Sequence, residues 1–368
     1  MHKLANQSSV FVPPVNWSVA DFANVVRRRV TESDRNVFYE ATGTRVSELM
    51  ALIKQSVERE AEIGRSVGFK DAKDGHLLED IMTPQTMIYN PLNARGLHAF
   101  RALLFHRIAE ALVDEQLHTV APNIRELVMR MRTDGILVFP RADKLFASGR
   151  KPLELGGLLA ARRGIVQQIL SAISGYRRPW EGDEPVKKQP SMRERTLVHE
   201  AGDIQYYMHV DAVGPIWKGF AFLECNSTQG PLHFVNGSHA PNLGKLRWLF
   251  QRTERFIARI PKPTSVQYAR TGPYLEETHG RGADAIRFLG FDPVVGVSSA
   301  IANDLGKYGF RRPTPLLTER GITLVIADTS GLHYRGYAQP GAQRHGDRVN
   351  LPRKCGYKCG EDGARRPC

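Results

Sequence analysis

Two stretches of the chain decide its predicted fold: GDIQYYMHVD at residues 202–211 and GITLVIADTSGLH at residues 321–333. The first is rich in residues that favour β-strands, and it ends with His209 and Asp211, two positions apart. Side chains at positions i and i+2 of an extended strand leave from the same face, so His209 and Asp211 form a ready pair of metal ligands.

The second stretch supplies a third candidate ligand. Its apolar run from Ile322 to Ala327 is typical of a buried strand, and a polar turn separates that run from His333. Two imidazoles and one carboxylate on a rigid β scaffold make an open facial site for ferrous iron, because three protein ligands leave three coordination positions free.

An arginine follows the second stretch at a useful place. The turn-rich segment GYAQPGAQ at residues 336–343 predicts that the chain returns as a neighbouring strand carrying Arg344. A guanidinium binds a carboxylate through two parallel hydrogen bonds and keeps its charge at any working pH. Arg344 is therefore a candidate to hold a dicarboxylate cosubstrate near the metal.

The motifs HVD, GPLHFVNGSH and ADTSGLHYRG, followed by an arginine, resemble the phytanoyl-CoA dioxygenase family of iron(II)- and 2-oxoglutarate-dependent oxygenases. The resemblance spans about residues 123–349. It implies that His209, Asp211 and His333 bind Fe(II), and that Arg344 holds the distal carboxylate of the cosubstrate 2-oxoglutarate. It also places Phe220 where relatives have an aromatic side chain beside 2-oxoglutarate.

The same resemblance implies the reaction, an O2-dependent oxidation of a C–H bond in a small organic substrate, most simply a hydroxylation. Asp211 argues against halogenation, because halogenating relatives lack this carboxylate. Three alternatives stay open. They are an oxygenase acting on a CoA- or carrier-bound acyl group or on nucleic acid, a cupin-like metal protein without 2-oxoglutarate turnover, and a binding protein that has lost its arginine clamp.

The sequence departs from the family in two places. Asn236 precedes the GSH turn where relatives usually have proline, a small change because asparagine also suits turns. After Arg344, only Arg348 to Leu351 is predicted to be a strand, and Pro352 stops it. Because the family strand begins at the arginine itself, Arg348 is an alternative clamp for 2-oxoglutarate.

The predicted fold is mainly β with α, a double-stranded β-helix (jelly roll, cupin-like) flanked by helices. Residues 1–120 are expected to form an N-terminal helical extension and residues 121–351 the oxygenase domain. Residues 261–320 are expected to be an insertion that covers the substrate, and residues 352–368 an irregular basic tail.

Helices are predicted over 18–28 with Ser18 as cap, 46–63, 94–117, 123–134 with Asn123 as cap, 156–174 and 245–260. Strands are predicted over 136–140, 199–211, 217–225 and 232–235, and a loop over 176–193.

Composition limits the partners. The chain has 368 residues and a net charge of +13, but its basic residues are scattered and do not interleave with aromatics, which disfavours nucleic acid as a partner. No apolar run approaches the roughly 20 residues that span a bilayer, and no signal segment is evident, so a cytoplasmic location is expected. Four cysteines are too few for a disulfide framework, and Cys355 and Cys359 lack the spacing of a zinc site. The oligomeric state stays open.

Overall fold

The computed structural model describes residues 18–66, 76–82, 91–142, 168–169, 172, 193–196, 208–211, 213–215, 217–257, 305–318, 321–336, 338–339, 341–350, 357–359 and 365–367. Most of the helix predicted over 156–174 lies outside these residues. The strand predicted over 199–207, the loop over 176–192 and residues 261–304 of the insertion also lie outside them.

The first part of the chain is helical. Its elements are α1 (Val19–Arg29), α2 (Glu32–Thr42), α3 (Val46–Ser66), α4 (His76–Ile81), a 3-10 turn (Pro91–Arg95) and α5 (Leu97–Leu117). Helix α1 begins with the predicted cap: the Ser18 hydroxyl accepts the Asp21 N–H, and the Asp21 carboxylate accepts the Ser18 N–H. Thr31 and Asp34 start α2 in the same reciprocal way, which satisfies backbone donors that a helix leaves unpaired at its start.

Strands and two further helices follow. They are α6 (Pro122–Asp134), β1 (Ile136–Phe139), β2 (Arg193–Thr196), β3 (Trp217–Glu224), β4 (Leu232–Phe234), α7 (Leu243–Ile257), β5 (Thr314–Pro315), β6 (Thr323–Asp328), β7 (His333–Arg335), β8 (Gln343–Asn350), β9 (Tyr357–Cys359) and β10 (Arg365–Pro367). A five-stranded sheet has the order β1-β6-β3-β8-β2, and a three-stranded sheet has the order β5-β4-β7. All of these pairings are antiparallel.

Two hydrophobic clusters cover the faces of the larger sheet. On one face, Phe222 and Val325 meet Leu232 and Phe234 of the smaller sheet, so apolar side chains join the two sheets. On the other face, α6 buries apolar side chains against β1, β3 and β6; these are Ile124, Val128, Met131, Leu137, Ala221, Leu324 and Ile326. Alternating positions along β3 and β6 therefore serve different layers, as the pleat of a strand requires.

The N-terminal helices share a third core with the strands of the smaller sheet. Buried side chains of α1, α2, α3, α5 and α7 belong to one cluster that also contains Met208, Val210, Val235, Leu332 and Tyr334. The helices predicted as an extension thus pack directly on the segments that carry His209 and His333.

Several predictions need correction. The described residues form a mixture of helices and small antiparallel sheets and hold more helix than strand, whereas a mainly β fold was expected. Asn123 does not cap α6, because Ala121 is its N-cap and Pro122 opens the helix with a φ already suited to it. Thr314–Pro315, inside the predicted insertion, pairs with β4 as β5.

The C-terminal region also differs from expectation. Strand β8 begins at Gln343, and not at Arg348 as predicted, because Arg193–Thr196 and β3 both supply hydrogen-bonding partners along its length. In the tail predicted to be irregular, β9 and β10 pair with each other as a two-stranded antiparallel sheet.

Within the described ranges, no helix combines the length and the apolar character needed to cross a bilayer.

Gly135, which ends α6, gives a test of this packing. Its φ is +76°, and a Cβ there would lie 2.4 Å from Nδ1 of His239. We expect Gly135→Ala to lower the free energy of unfolding by at least about 2 kcal/mol more than Gly43→Ala does, because the clash adds to the backbone strain. Gly43 is the matched control, since its φ is +69° but a Cβ there meets no atom within 4 Å. Equal losses in urea unfolding of the two variants would contradict the packing described here.

Candidate metal centre

The backbone brings His209 and His333 side by side. The His209 N–H donates to the His333 carbonyl at 3.0 Å, and the His333 N–H donates to the His209 carbonyl at 3.0 Å. This reciprocal pair is an isolated antiparallel bridge, in which opposite side chains share one face. The two imidazole centroids lie 4.4 Å apart. The Asp211 N–H donates to the Thr329 carbonyl at 2.8 Å and holds Asp211 against the turn that precedes His333.

The three side chains converge on one point. Oδ1 of Asp211 lies 3.7 Å from Nε2 of His209, and Oδ2 lies 3.4 Å from Nε2 of His333. One nitrogen from each histidine and one carboxylate oxygen all lie within 4.8 Å of one another. Both histidines are buried, while Asp211 is 24% exposed, so the carboxylate lies on the side that solvent reaches.

A hydrogen bond fixes which nitrogen His333 presents. Nδ1 of His333 lies 2.8 Å from the Gly331 carbonyl, which can only accept, so Nδ1 carries the proton. The lone pair of the neutral ring is then on Nε2, the atom that faces Asp211. A backbone carbonyl behind a ligating histidine orients the ring and raises its basicity. The donor set of His209, Asp211 and His333 could therefore hold a metal ion.

Charge around Asp211 keeps it ionised. Burial raises the pKa of the Asp211 carboxyl, whereas His333 and His209 in their protonated forms and the Lys218 ammonium hold it well below its usual value. The Lys218 ammonium donates a hydrogen bond to Oδ2 of Asp211 at 2.5 Å. An ionised carboxylate is the form that binds a divalent cation.

The turn before His333 is held from two sides. The Asp328 carboxylate accepts hydrogen bonds from the Ser330 N–H at 3.0 Å and the Ser330 hydroxyl at 2.7 Å. The fully buried ammonium of Lys245, on α7, donates to the Ser330 carbonyl at 2.6 Å. A Cβ at Gly331 would lie 2.6 Å from the Phe234 ring, so this position requires glycine.

The hairpin that contains the turn at residues 237–239, called the GSH hairpin, supports Leu332, the residue before His333. The Ser238 hydroxyl donates to the Val235 carbonyl at 2.6 Å and accepts the Leu332 N–H at 2.7 Å. The Val235 N–H donates to the Leu332 carbonyl at 2.9 Å. The motif that carried the family resemblance thus acts here as a brace for the second histidine.

The other histidines of this hairpin are not part of the triad. Nε2–H of His239 donates to the Arg132 carbonyl at 3.0 Å, which ties the hairpin to the end of α6. His233 donates from Nδ1 to the Pro231 carbonyl and stacks on the Tyr334 ring at 4.5 Å. Both contacts are structural, because each ring binds a backbone carbonyl outside the triad.

The remaining predicted site residues lie on β3 and β8. Phe220 is half-buried, stacks against Phe222 at 6.2 Å and lies opposite Arg348 in the β3–β8 register. Arg344 lies opposite Arg195 of β2. Phe220 is two positions from Lys218 on β3, so both occupy the strand face that Lys218 uses to reach Asp211.

Two lysines of the site were not predicted. Lys218 lies on the same face of β3 as Phe220 and Phe222, and a cation on an otherwise aromatic strand face was the signal that could have identified it. Lys245 lies three and four positions before Trp248 and Leu249, two buried side chains of α7, and this helical spacing was the signal that could have identified it.

Comparisons with protein-family models, curated proteins and solved structures found no match for this chain.

The buried His239 ring generates a pH prediction. Burial lowers the pKa of His239 from 6.5 to about 4, with Asp328 opposing the shift and His106 and Lys245 adding to it. As the pH falls, the unfolded chain protonates this imidazole before the folded chain does. The stabilising contribution of neutral His239 is therefore fully present above pH 6.5 and is lost as the pH falls towards 4. We expect protonation of this group to lower the free energy of unfolding by up to about 3 kcal/mol over that range.

The measurement is urea unfolding from pH 7 to pH 4 for wild type and His239→Gln, which keeps a donor for the Arg132 carbonyl but does not titrate. The exposed His118→Gln is the control and should follow the wild-type curve. Parallel curves for wild type and His239→Gln would show that the ring is not held neutral by burial.

Proposed function

We propose that this chain is a non-haem iron(II)- and 2-oxoglutarate-dependent oxygenase that oxidises a C–H bond of a small organic substrate. The observation that carries the proposal is the triad itself. Nε2 of His209, Nε2 of His333 and the Asp211 carboxylate converge on one face of an antiparallel bridge. Two imidazoles and one carboxylate with open positions are the ligand set that non-haem iron oxygenases use.

The chain would hold iron in a way that suits this chemistry. A structural zinc site closes its coordination with four protein ligands, whereas the group found among the described residues has three. Bound ferrous iron would supply the reaction of O2 with the 2-oxo acid and the substrate C–H bond. The protein would orient both histidines, keep Asp211 ionised, and surround the centre with buried side chains that limit access of water.

Strand β8 supports an assignment of the 2-oxoglutarate clamp. Arg348 was a rival because the strand was predicted to begin there, but β8 begins at Gln343 and includes both arginines. Arg344 is then at the start of the strand, which is where the family resemblance expects the clamp. We propose Arg344 as the residue that binds the distal carboxylate, with Phe220 beside the carbon chain of the cosubstrate.

The finer fold assignment belongs to the same proposal. Apolar side chains of β1, β3 and β6 meet those of β4, and the bridge between His209 and His333 extends the smaller sheet at β7. Two facing antiparallel sheets with helices covering the outer face of the larger one support a double-stranded β-helix. Residues 261–304 of the predicted insertion would then contribute to substrate choice.

The direct test is anaerobic addition of Fe(II) and 2-oxoglutarate to the purified protein. We expect the weak visible charge-transfer band of the iron chelate, and succinate formation once O2 and a mixed pool of small metabolites are added.

Loss of a charge-paired arginine typically costs 2–5 kcal/mol, so we expect Arg344→Met to raise the Kd for 2-oxoglutarate on the order of 100-fold. Arg348→Met is the matched control and should change that Kd by less than about threefold.

Each failure has a separate meaning. Metal binding without the band would leave a cupin-like metal protein that does not use 2-oxoglutarate. A large loss in Arg348→Met, with Arg344→Met unchanged, would transfer the clamp to Arg348. Absence of metal binding would contradict the proposal as a whole.

A further inference from the structure

We propose that Lys218 is a positioning residue that restricts Asp211 to coordination through a single oxygen and weakens the hold of the protein on the metal ion. This inference rests on the metal centre of the proposed function. It concerns how the chain keeps coordination positions open for 2-oxoglutarate and O2, and the family resemblance does not address it.

Lys218 lies deeper in the protein than a lysine usually does. Lys218 lies on β3, a central strand of the larger sheet, opposite Ala327 of β6 and Asn350 of β8. Its side chain is only 13% exposed. Its Nζ donates to Oδ2 of Asp211, and no second hydrogen bond of this ammonium occurs within the described ranges. A cation held this deep costs free energy unless it is paired, so the pairing with Asp211 is specific.

The hydrogen bond from Lys218 makes the two oxygens of Asp211 unequal. Lys218 donates to Oδ2, which also lies 3.4 Å from Nε2 of His333, while Oδ1 lies 3.7 Å from Nε2 of His209 and accepts no hydrogen bond from a lysine. An oxygen that accepts a charge-assisted hydrogen bond has less electron density to give to a metal ion, so the ammonium makes Oδ2 the weaker ligand atom. The ammonium therefore favours coordination through Oδ1 alone. With both imidazoles bound, this leaves three positions for other ligands.

The positive charge of Lys218 lowers the ability of Asp211 to donate electrons to a metal ion. The Gly331 carbonyl behind His333 raises the basicity of that ligand, whereas an ammonium on the ligating carboxylate withdraws charge from it. Lys218 also places a positive charge one carboxylate away from a divalent cation, and like charges at this distance repel. A residue that merely stabilised the fold, or that oriented Asp211 without bearing charge, would have no such effect.

We therefore expect the affinity for the metal ion and the affinity for 2-oxoglutarate to change in opposite directions when the charge of Lys218 is removed. In Lys218→Met the apolar stem remains, the repulsion is gone, and Asp211 is free to use both oxygens. We expect the Kd for Co(II), measured by calorimetry, to fall about tenfold. We expect the Kd of the Co(II)-loaded protein for 2-oxoglutarate to rise about tenfold, because a carboxylate bound through both oxygens leaves two positions instead of three and the positive charge that attracts the anionic 2-oxo acid is gone.

Two control variants isolate the effect. Lys218→Arg keeps the charge and a donor, so both dissociation constants should stay within about threefold of wild type. Lys54→Met removes a lysine from the exposed face of α3, where it pairs with Glu58, and should change neither constant. If Lys218→Met does not fold, as judged by circular dichroism, Lys218→Gln replaces it in the same comparison with the same expected directions.

The outcomes also separate this inference from the proposed function. Wild type that binds neither Co(II) nor 2-oxoglutarate would contradict the proposed function. Wild type that binds both, with weaker or unchanged Co(II) binding in a folded Lys218→Met or Lys218→Gln, would overturn the inference about Lys218 and leave the oxygenase intact. Tighter Co(II) binding together with weaker 2-oxoglutarate binding in that variant alone would support it.

Discussion

The reciprocal hydrogen bonds between His209 and His333 are the contact on which the candidate site depends. The two bonds place both imidazoles on one face, and a further backbone bond to Thr329 adds Asp211. A hydrogen bond in a folded protein contributes only about 1 kcal/mol net, so two such bonds outside a longer ladder cannot by themselves hold metal ligands in register. The precision of the site must therefore come from what packs behind it.

Three supports meet at this bridge. The helical core holds Met208, Val210, Leu332 and Tyr334, the neighbours of the two histidines in the sequence. The Ser238 hydroxyl accepts a hydrogen bond from the Leu332 N–H, and the Lys245 ammonium donates one to the Ser330 carbonyl. Since these groups come from the N-terminal helices, from the GSH hairpin and from α7, a change in any one of them would alter the positions of the candidate ligands. Ligand positions held by a surrounding shell in this way are preorganised for chemistry, which is consistent with an oxygenase.

The residues of the triad could be predicted because their chemistry is local. An HxD pair at the end of a β-rich run and a histidine after an apolar strand are both visible in the sequence, and the structure brings them together. The Ser18 cap and the glycine that ends α6 were predictable for the same reason. Pairing between distant segments was not. The length of β8, the strand at Thr314–Pro315 and the burial of Lys218 and Lys245 all depend on partners far away in the chain, which no local pattern reports.

Iron K-edge X-ray absorption of protein loaded anaerobically with Fe(II) would show whether His209, Asp211 and His333 together bind one metal ion. We expect one iron per chain with two imidazole ligands in wild type, and one imidazole ligand in any iron retained by His209→Ala or His333→Ala. An imidazole count that stays at two in both variants, or stoichiometric iron without imidazole in wild type, would contradict this assignment of the ligands.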